Sequence, residues 1–255
     1  MKTHLSPRKR GFSLIETVIA IGVLAVLLTG FMIVFAPAAA GIKRSISIQE
    51  ADRLASTLEQ ELVNWRSGNP GTTGFDKAFE WIKDSDKATT ALMIYQYRAS
   101  LSASLSGNRA DGTPNPVPLA TNNVPGKDYY VQTMVRRKGD AEFLEDLEAL
   151  EGGVYLVKCT QFVYGDLPAP LSGKGLKPGT AGQIKNPKPN SSPPDPNYKA
   201  GPFTDPDEYP EAVIAFSAEF FSLPGRSEGY LDGAFVTNFA KFKTPVFTRN
   251  LAVRR

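Results

Sequence analysis

Cysteine and histidine are almost missing from this 255-residue chain, which holds one of each. A single cysteine, Cys159, excludes an intramolecular disulfide, so the fold must rest on its apolar core. Cys159 falls in the run Gly153–Tyr164, which reads as a strand, and a buried structural thiol is the expectation there. The competing reading is an exposed thiol, reactive or paired with another chain. The one histidine is His4, and no other follows it. The rest of the chain therefore has no means of Ser-His-Asp or Cys-His chemistry and no histidine-containing zinc site. Catalysis by carboxylates alone survives that exclusion. A phosphate-cradling loop is also missing. Gly173-Lys-Gly175 and Gly179 lack both the strand–turn–helix setting and the Lys-Ser/Thr ending. Finally, no charged residue occurs from Thr17 to Ala40.

That last absence isolates Glu16, which opens the apolar run in the string Arg8-Lys9-Arg10-Gly11-Phe12-Ser13-Leu14-Ile15-Glu16-Thr17. A carboxylate near a membrane core is costly and calls for a named partner. A cut after Gly11 would create one, an α-amine on Phe12 that a neighbouring copy could offer at similar depth. Phe12 to Phe35 is 24 residues, about 36 Å of helix, enough for a bilayer core of about 30 Å. Pro37 is expected to kink the helix or mark its end. A secretory signal peptide competes, with small-residue cleavage sites at Ala36-Pro-Ala38 and Ala38-Ala-Ala40. The apolar core of such a signal is shorter, about 7–15 residues, and does not begin with a carboxylate. Lys2, Arg8, Lys9 and Arg10 precede the run with no acid among them. Setting them aside turns 29 basic and 26 acidic residues into 25 and 26, a side-chain charge of −1 in place of +3. The basic excess is thus a topology signal and gives no basic stripe for nucleic acid.

This string resembles the class III signal of type IV prepilins and type II secretion pseudopilins. Gly11, Phe12 and Glu16 stand where that family has the glycine before the cut, the N-methylated phenylalanine and the fifth mature residue. The resemblance runs from Lys2 to about Trp65, and the stem also resembles the pilin-like Verru_Chthon cassette proteins. It implies a prepilin peptidase cutting on the cytoplasmic side after Gly11 and methylation at Phe12. Glu16 would neutralise the N-terminus of the adjacent subunit in a filament. The implied partners are that peptidase, other pilin-like subunits and inner-membrane lipid, with no nucleic acid. The implied location is a single pass through the inner membrane, with the C-terminal domain periplasmic or extracellular.

On this reading residues 1–11 are a leader, 12–36 a transmembrane helix, 37–66 an amphipathic stem helix and 67–255 a β-rich globular domain. The stem expectation rests on Ile42, Ile46, Leu54, Leu58, Leu62 and Trp65 at mostly four-residue spacing, stopped by Gly68-Asn-Pro-Gly71. Strands are expected at 91–98, 129–136, 153–164 and 211–222, with further ones at 234–241 and 245–253. Asp140–Glu151 reads as a short helix with an exposed acidic face. Gly165–Glu208 holds 10 Pro and 6 Gly in 44 residues and reads as a long surface loop without a packed core. A helix followed by consecutive strands gives the α+β class: a long N-terminal helix, then an antiparallel sheet domain carrying that Pro-rich loop. Asp205, Asp207 and Glu208 are the candidates for Ca²⁺, against the reading of a solvated acidic loop. No catalytic residue and no cofactor are expected. The expected function is a minor pilin or pseudopilin-like subunit, because the chain is long, lacks a disulfide and carries a bulky loop. The alternatives are an anchored or secreted binding protein that does not assemble and, third, an exported carboxylate-dependent enzyme.

Overall fold

A computed structural model describes residues 13–66, 68–101, 109–120, 122–167, 171–191 and 193–255. The chain divides into two units between Ser47 and Ile48. Helix α1, Leu14–Val63, runs through that boundary.

In the first unit, Leu14–Ala39 is a 26-residue stretch of mean hydropathy 2.8, with none of its described residues buried. Its length, about 39 Å, spans a bilayer core. Pro37 lies inside α1 and does not end it. One proline removes a single backbone donor, and the helix-forming residues on both sides carry the helix past it. Ile42, expected on a buried stem face, is exposed.

The second unit is built on a sheet of order β2-β1-β3-β5-β6, antiparallel throughout. The strands are β1 (Leu92–Ser100), β2 (Tyr129–Arg137), β3 (Leu150–Asp166), β5 (Val213–Ser222) and β6 (Phe247–Arg254). A short β4, Lys174–Pro178, pairs with the far end of β3. The α+β class and the antiparallel sheet thus hold. Both faces of the sheet are covered, as the alternation along β1 shows. Leu92 and Ile94 enter one core with Leu54, Leu58 and Leu62 of α1. Met93, Tyr95 and Tyr97 enter a second core with Phe143, Leu231, Phe235 and Phe239. Side chains two apart share a face, so β1, β2, β3 and β5 feed both layers, while β6 buries Leu251 and Val253 in the first core alone.

Three local expectations change. Residues 234–241 are not a strand but belong to a run of short helical turns from Glu228 to Lys241. Leu231, Phe235 and Phe239 are four apart, so one helical face buries all three, and the Ser227 side chain accepts the Tyr230 N–H to start the run. The Pro-rich loop does reach a core. Ile184 and Phe203 within it are buried beside Tyr209, and the Phe203 N–H bonds the Ile184 carbonyl at 2.7 Å. A few apolar anchors between turns suffice where the sheet supplies the rest of the core. The third change is an unexpected helix, α2 (Gly74–Asp84), which packs Phe75, Phe79 and Ile82 beside the α1 leucines. A capping box between Thr73 and Asp76 opens it. At its first residue a Cβ on Gly74 would meet the Val63 carbonyl oxygen at 2.0 Å, so only glycine lets α2 start so close to the end of α1.

That junction is fixed by a buried cation. Val63 leaves the last carbonyls of α1 without helical partners. The Lys77 ammonium, on α2, donates to the Glu61 and Asn64 carbonyls, each at 2.6 Å, and to Glu61 Oε1 at 2.6 Å. Arg66 grips the same carboxylate through two nitrogens at 3.1 and 3.0 Å. Burial pulls the Lys77 ammonium below its ordinary pKa, and the Glu61 charge opposes that pull.

Candidate functional site

Gly11 and Phe12 lie outside the described residues, and Ser13 and Glu16 lie within them. Ser13 immediately precedes the first residue of α1. Its hydroxyl oxygen accepts the Glu16 N–H at 3.2 Å, and its own N–H donates to Glu16 Oε2 at 3.2 Å. This reciprocal pair is a capping box, which satisfies two of the helix's orphan donors. A serine three residues before a glutamate at the head of an apolar run is its sequence signature, a signal that the reading of Glu16 by its isolation passes over. Both side chains are exposed, so the carboxylate is presented outward at the helix end while one oxygen is held by its own backbone.

Past Glu16 the helix surface is apolar on every side. Val18, Ile19, Ile21, Val23 and Leu24 are all more than half exposed, as are Leu14 and Ile15 before Glu16. A helix apolar all round needs lipid or other helices about it.

The most buried polar cluster of the second unit centres on Asp146, in α3 (Ala141–Asp146). This acid was expected on an exposed face and is instead fully buried. Helix α3 joins β2 to β3 across the second core, and Phe143 and Asp146, three apart, point the same way into it. The Tyr95 hydroxyl donates to Asp146 at 2.5 Å and Arg136 Nε at 3.3 Å. Arg109 lies 2.8 Å from Asp146 and 3.0 Å from Glu145, at ion-pair distance without hydrogen-bond alignment. Arg136 also bonds Asp111 and the Thr113 hydroxyl at 2.7 and 2.8 Å. Burial raises the Asp111 carboxyl, but bonds from Thr113 and Arg136 outweigh it and hold its pKa below the usual range. A polar cleft of about 280 Å³ adjoins this network. Its charged walls are paired, Glu61 with Arg66, Asp111 and Glu142 with Arg136, and Asp140 with Arg137 outside the cleft. These pairs lock structure; they do not set a general base against a nucleophile.

Asp205, Asp207 and Glu208 form no ligand set in the structure. Asp205 accepts the Asp207 N–H at 2.9 Å as the cap of a short turn, and Glu208 sits 3.4 Å from the Lys199 ammonium. Among the described residues, no group of three or more acidic, histidine or cysteine side chains is placed to hold a metal ion.

Cys159 is buried in β3, where the Ser85 hydroxyl bridges its backbone N–H and carbonyl at 2.9 and 3.2 Å. Burial pushes its thiol up to about 12. The folded protein should therefore resist maleimide at pH 8 and react with one equivalent once denatured, as read by intact mass. Labelling of the native protein at the rate of a free thiol would contradict this burial.

In comparisons with known proteins, residues 6–32 match the prokaryotic N-terminal methylation motif. No curated protein and no solved structure matches the chain. The matched residues cover the basic approach, Ser13, Glu16 and most of the apolar stretch, and do not single out the Verru_Chthon cassette proteins. The motif and the apolar helix together fit a membrane-anchored protein whose N-terminal segment is similar to that of type IV pilin-like and pseudopilin precursors.

Proposed function

We propose that this chain is a minor pilin or pseudopilin-like subunit. A prepilin peptidase cuts it after Gly11, Phe12 is methylated, and the mature helix enters a filament of pilin-like subunits. Glu16 is the assembly residue in this reading and meets the Phe12 amine of a neighbour. Before assembly the helix crosses the inner membrane once, with the basic leader on the cytoplasmic side and the sheet domain beyond the far face. The protein acts by assembly and not as an enzyme, in keeping with the generally non-enzymatic character of proteins that carry this motif.

One observation carries the reading: the methylation motif at residues 6–32 overlaps a helix whose 26-residue apolar stretch, Leu14–Ala39, holds the lone carboxylate Glu16 near its start. A secretory signal needs no such carboxylate and no apolar run of that length. The test is intact mass and N-terminal sequencing of the protein from its native membrane. A start at methylated Phe12 is expected. A start near Ala39 or Gly41 would mean a secreted domain, and an intact Met1 a simple anchor; either overturns the proposal.

A further inference from the structure

We infer that the polar cleft in the sheet domain, walled by Arg66, Trp81 and Arg136, is a binding site for a small carboxylate monoanion. This site lies apart from the helix start and does not depend on assembly.

The cleft encloses about 280 Å³, at the small end of ligand pockets. Its walls offer more hydrogen-bond donors than acceptors. Both carboxylate oxygens of Glu61, of Asp111 and of Asp140 already accept bonds from the chain. A guanidinium has five N–H donors. Arg66 directs two of them to Glu61, and Arg136 directs one each to Asp146, Asp111 and Thr113. Among the described residues, the other N–H groups of both arginines meet no acceptor. Trp81 adds one more. It is 2 % exposed and lines the same cleft, and its Nε1–H has no acceptor among the described residues. Native proteins seldom leave a buried donor in that state. Glu142 does not fill the role, because its Oε2 stops 3.9 Å from Arg136 Nη1, beyond a hydrogen bond.

The two arginines are also close enough to repel. The bond from Glu61 raises the Arg66 pKa, and the Arg136 charge lowers it. An anion between them relieves that repulsion. Charge sets how much anion the cleft accepts. Glu61, Asp111, Asp140 and Glu142 face Arg66 and Arg136, with Lys77 and Arg137 paired to two of these acids. Acids and bases thus balance. A monoanion enters a near-neutral site rich in directed donors, whereas a dianion brings a second charge with no base left to meet it. A planar carboxylate also matches the fork of a guanidinium.

The probe is acetate. Full-length protein held in detergent at pH 8 is titrated with sodium acetate against sodium chloride at constant ionic strength. One readout is Tm by circular dichroism, taken relative to each variant's own value without acetate. The other is Trp81 emission in a Trp65→Phe background, which leaves Trp81 as the sole tryptophan. Acetate should raise Tm and change the emission along one saturating curve, and inorganic phosphate, mostly a dianion at that pH, should bind more weakly. Arg66→Gln should weaken acetate about tenfold or more, the scale of a lost charged donor; Lys77 still holds Glu61 in that variant. Trp81→Phe should weaken it about fivefold, the scale of one neutral bond. Glu142→Gln takes a negative charge off the rim and should tighten acetate about threefold, a gain that damage to the fold does not produce. Acetate acting no differently from chloride, phosphate binding as tightly as acetate, affinity unchanged in both Arg66→Gln and Trp81→Phe, or weaker binding in Glu142→Gln would each overturn the inference.

Discussion

Glu16→Ala should be processed and inserted at near wild-type levels yet lose assembly by two orders of magnitude or more. Insertion should not suffer, because removing a carboxylate makes the helix more apolar. What disappears is the partner of a neighbour's Phe12 amine, left as a buried charge without compensation. Breaking one side of a buried pair costs roughly 3–5 kcal/mol, a factor of about 10²–10⁴ in an association constant. The capping box makes a second substitution the sharper one. Glutamine at the third helical position also completes such a box, so Glu16→Gln keeps the acceptor for the Ser13 N–H and removes only the charge. Both variants should fail in crosslinking within native membranes if the charge docks the neighbour. Recovery of assembly in Glu16→Gln would show that Glu16 serves only to start its own helix. Normal assembly in Glu16→Ala would leave an anchored domain with no assembling role.

The second large effect is expected far from the helix start. Asp146→Ala should destabilise the sheet domain by about 3–5 kcal/mol, since it strands the buried charges that meet there. Arg136 would keep Asp111, but among the described residues Arg109 would keep only Glu145, which is 59 % exposed and correspondingly weak. The Tyr95 hydroxyl, fully buried, would lose its acceptor as well. On a domain of this size the loss corresponds to about 10 °C or more in Tm. Fluorescence of Trp81, buried in the other core, is a convenient report in detergent-held full-length protein. A drop of less than about 3 °C would mean that water or relaxation compensates the two arginines, and that the network contributes little to stability. Processing and crosslinking should change little in this variant below its melting temperature, which separates it from Glu16→Ala.

The parts of this protein that were legible in its sequence are those whose physics is local. The methylation motif is one short string, residues 6–32, and the apolar helix needs only its own hydropathy to be recognised. Four strands were placed nearly at their observed ends because β-branched and aromatic runs mark them directly. The misreading of 234–241 was of the same local kind and avoidable. Its aromatic content suggested a strand, while the four-residue spacing of Leu231, Phe235 and Phe239 carried the truer signal. Helix α2 was similarly announced by its Thr73–Asp76 box. The Ser13–Glu16 box could have been read in the same way.

By itself, then, the sequence determined the methylation motif, the length and polarity of the apolar stretch, the lack of any histidine beyond His4 and of a second cysteine, and the α+β class. Each follows from composition or from neighbours along the chain. Only the tertiary structure decided that both faces of the sheet are buried, that Ile184 and Phe203 anchor a loop rich in proline, and that Lys77 closes the end of α1. It also decided that Asp146, one acid in a run that reads as a solvated helix face, is the buried one. The reason is that burial of a charge depends on what lies opposite it. Tyr95, Arg109 and Arg136 come to Asp146 from separate points along the chain, and no local pattern around Asp146 encodes their arrival.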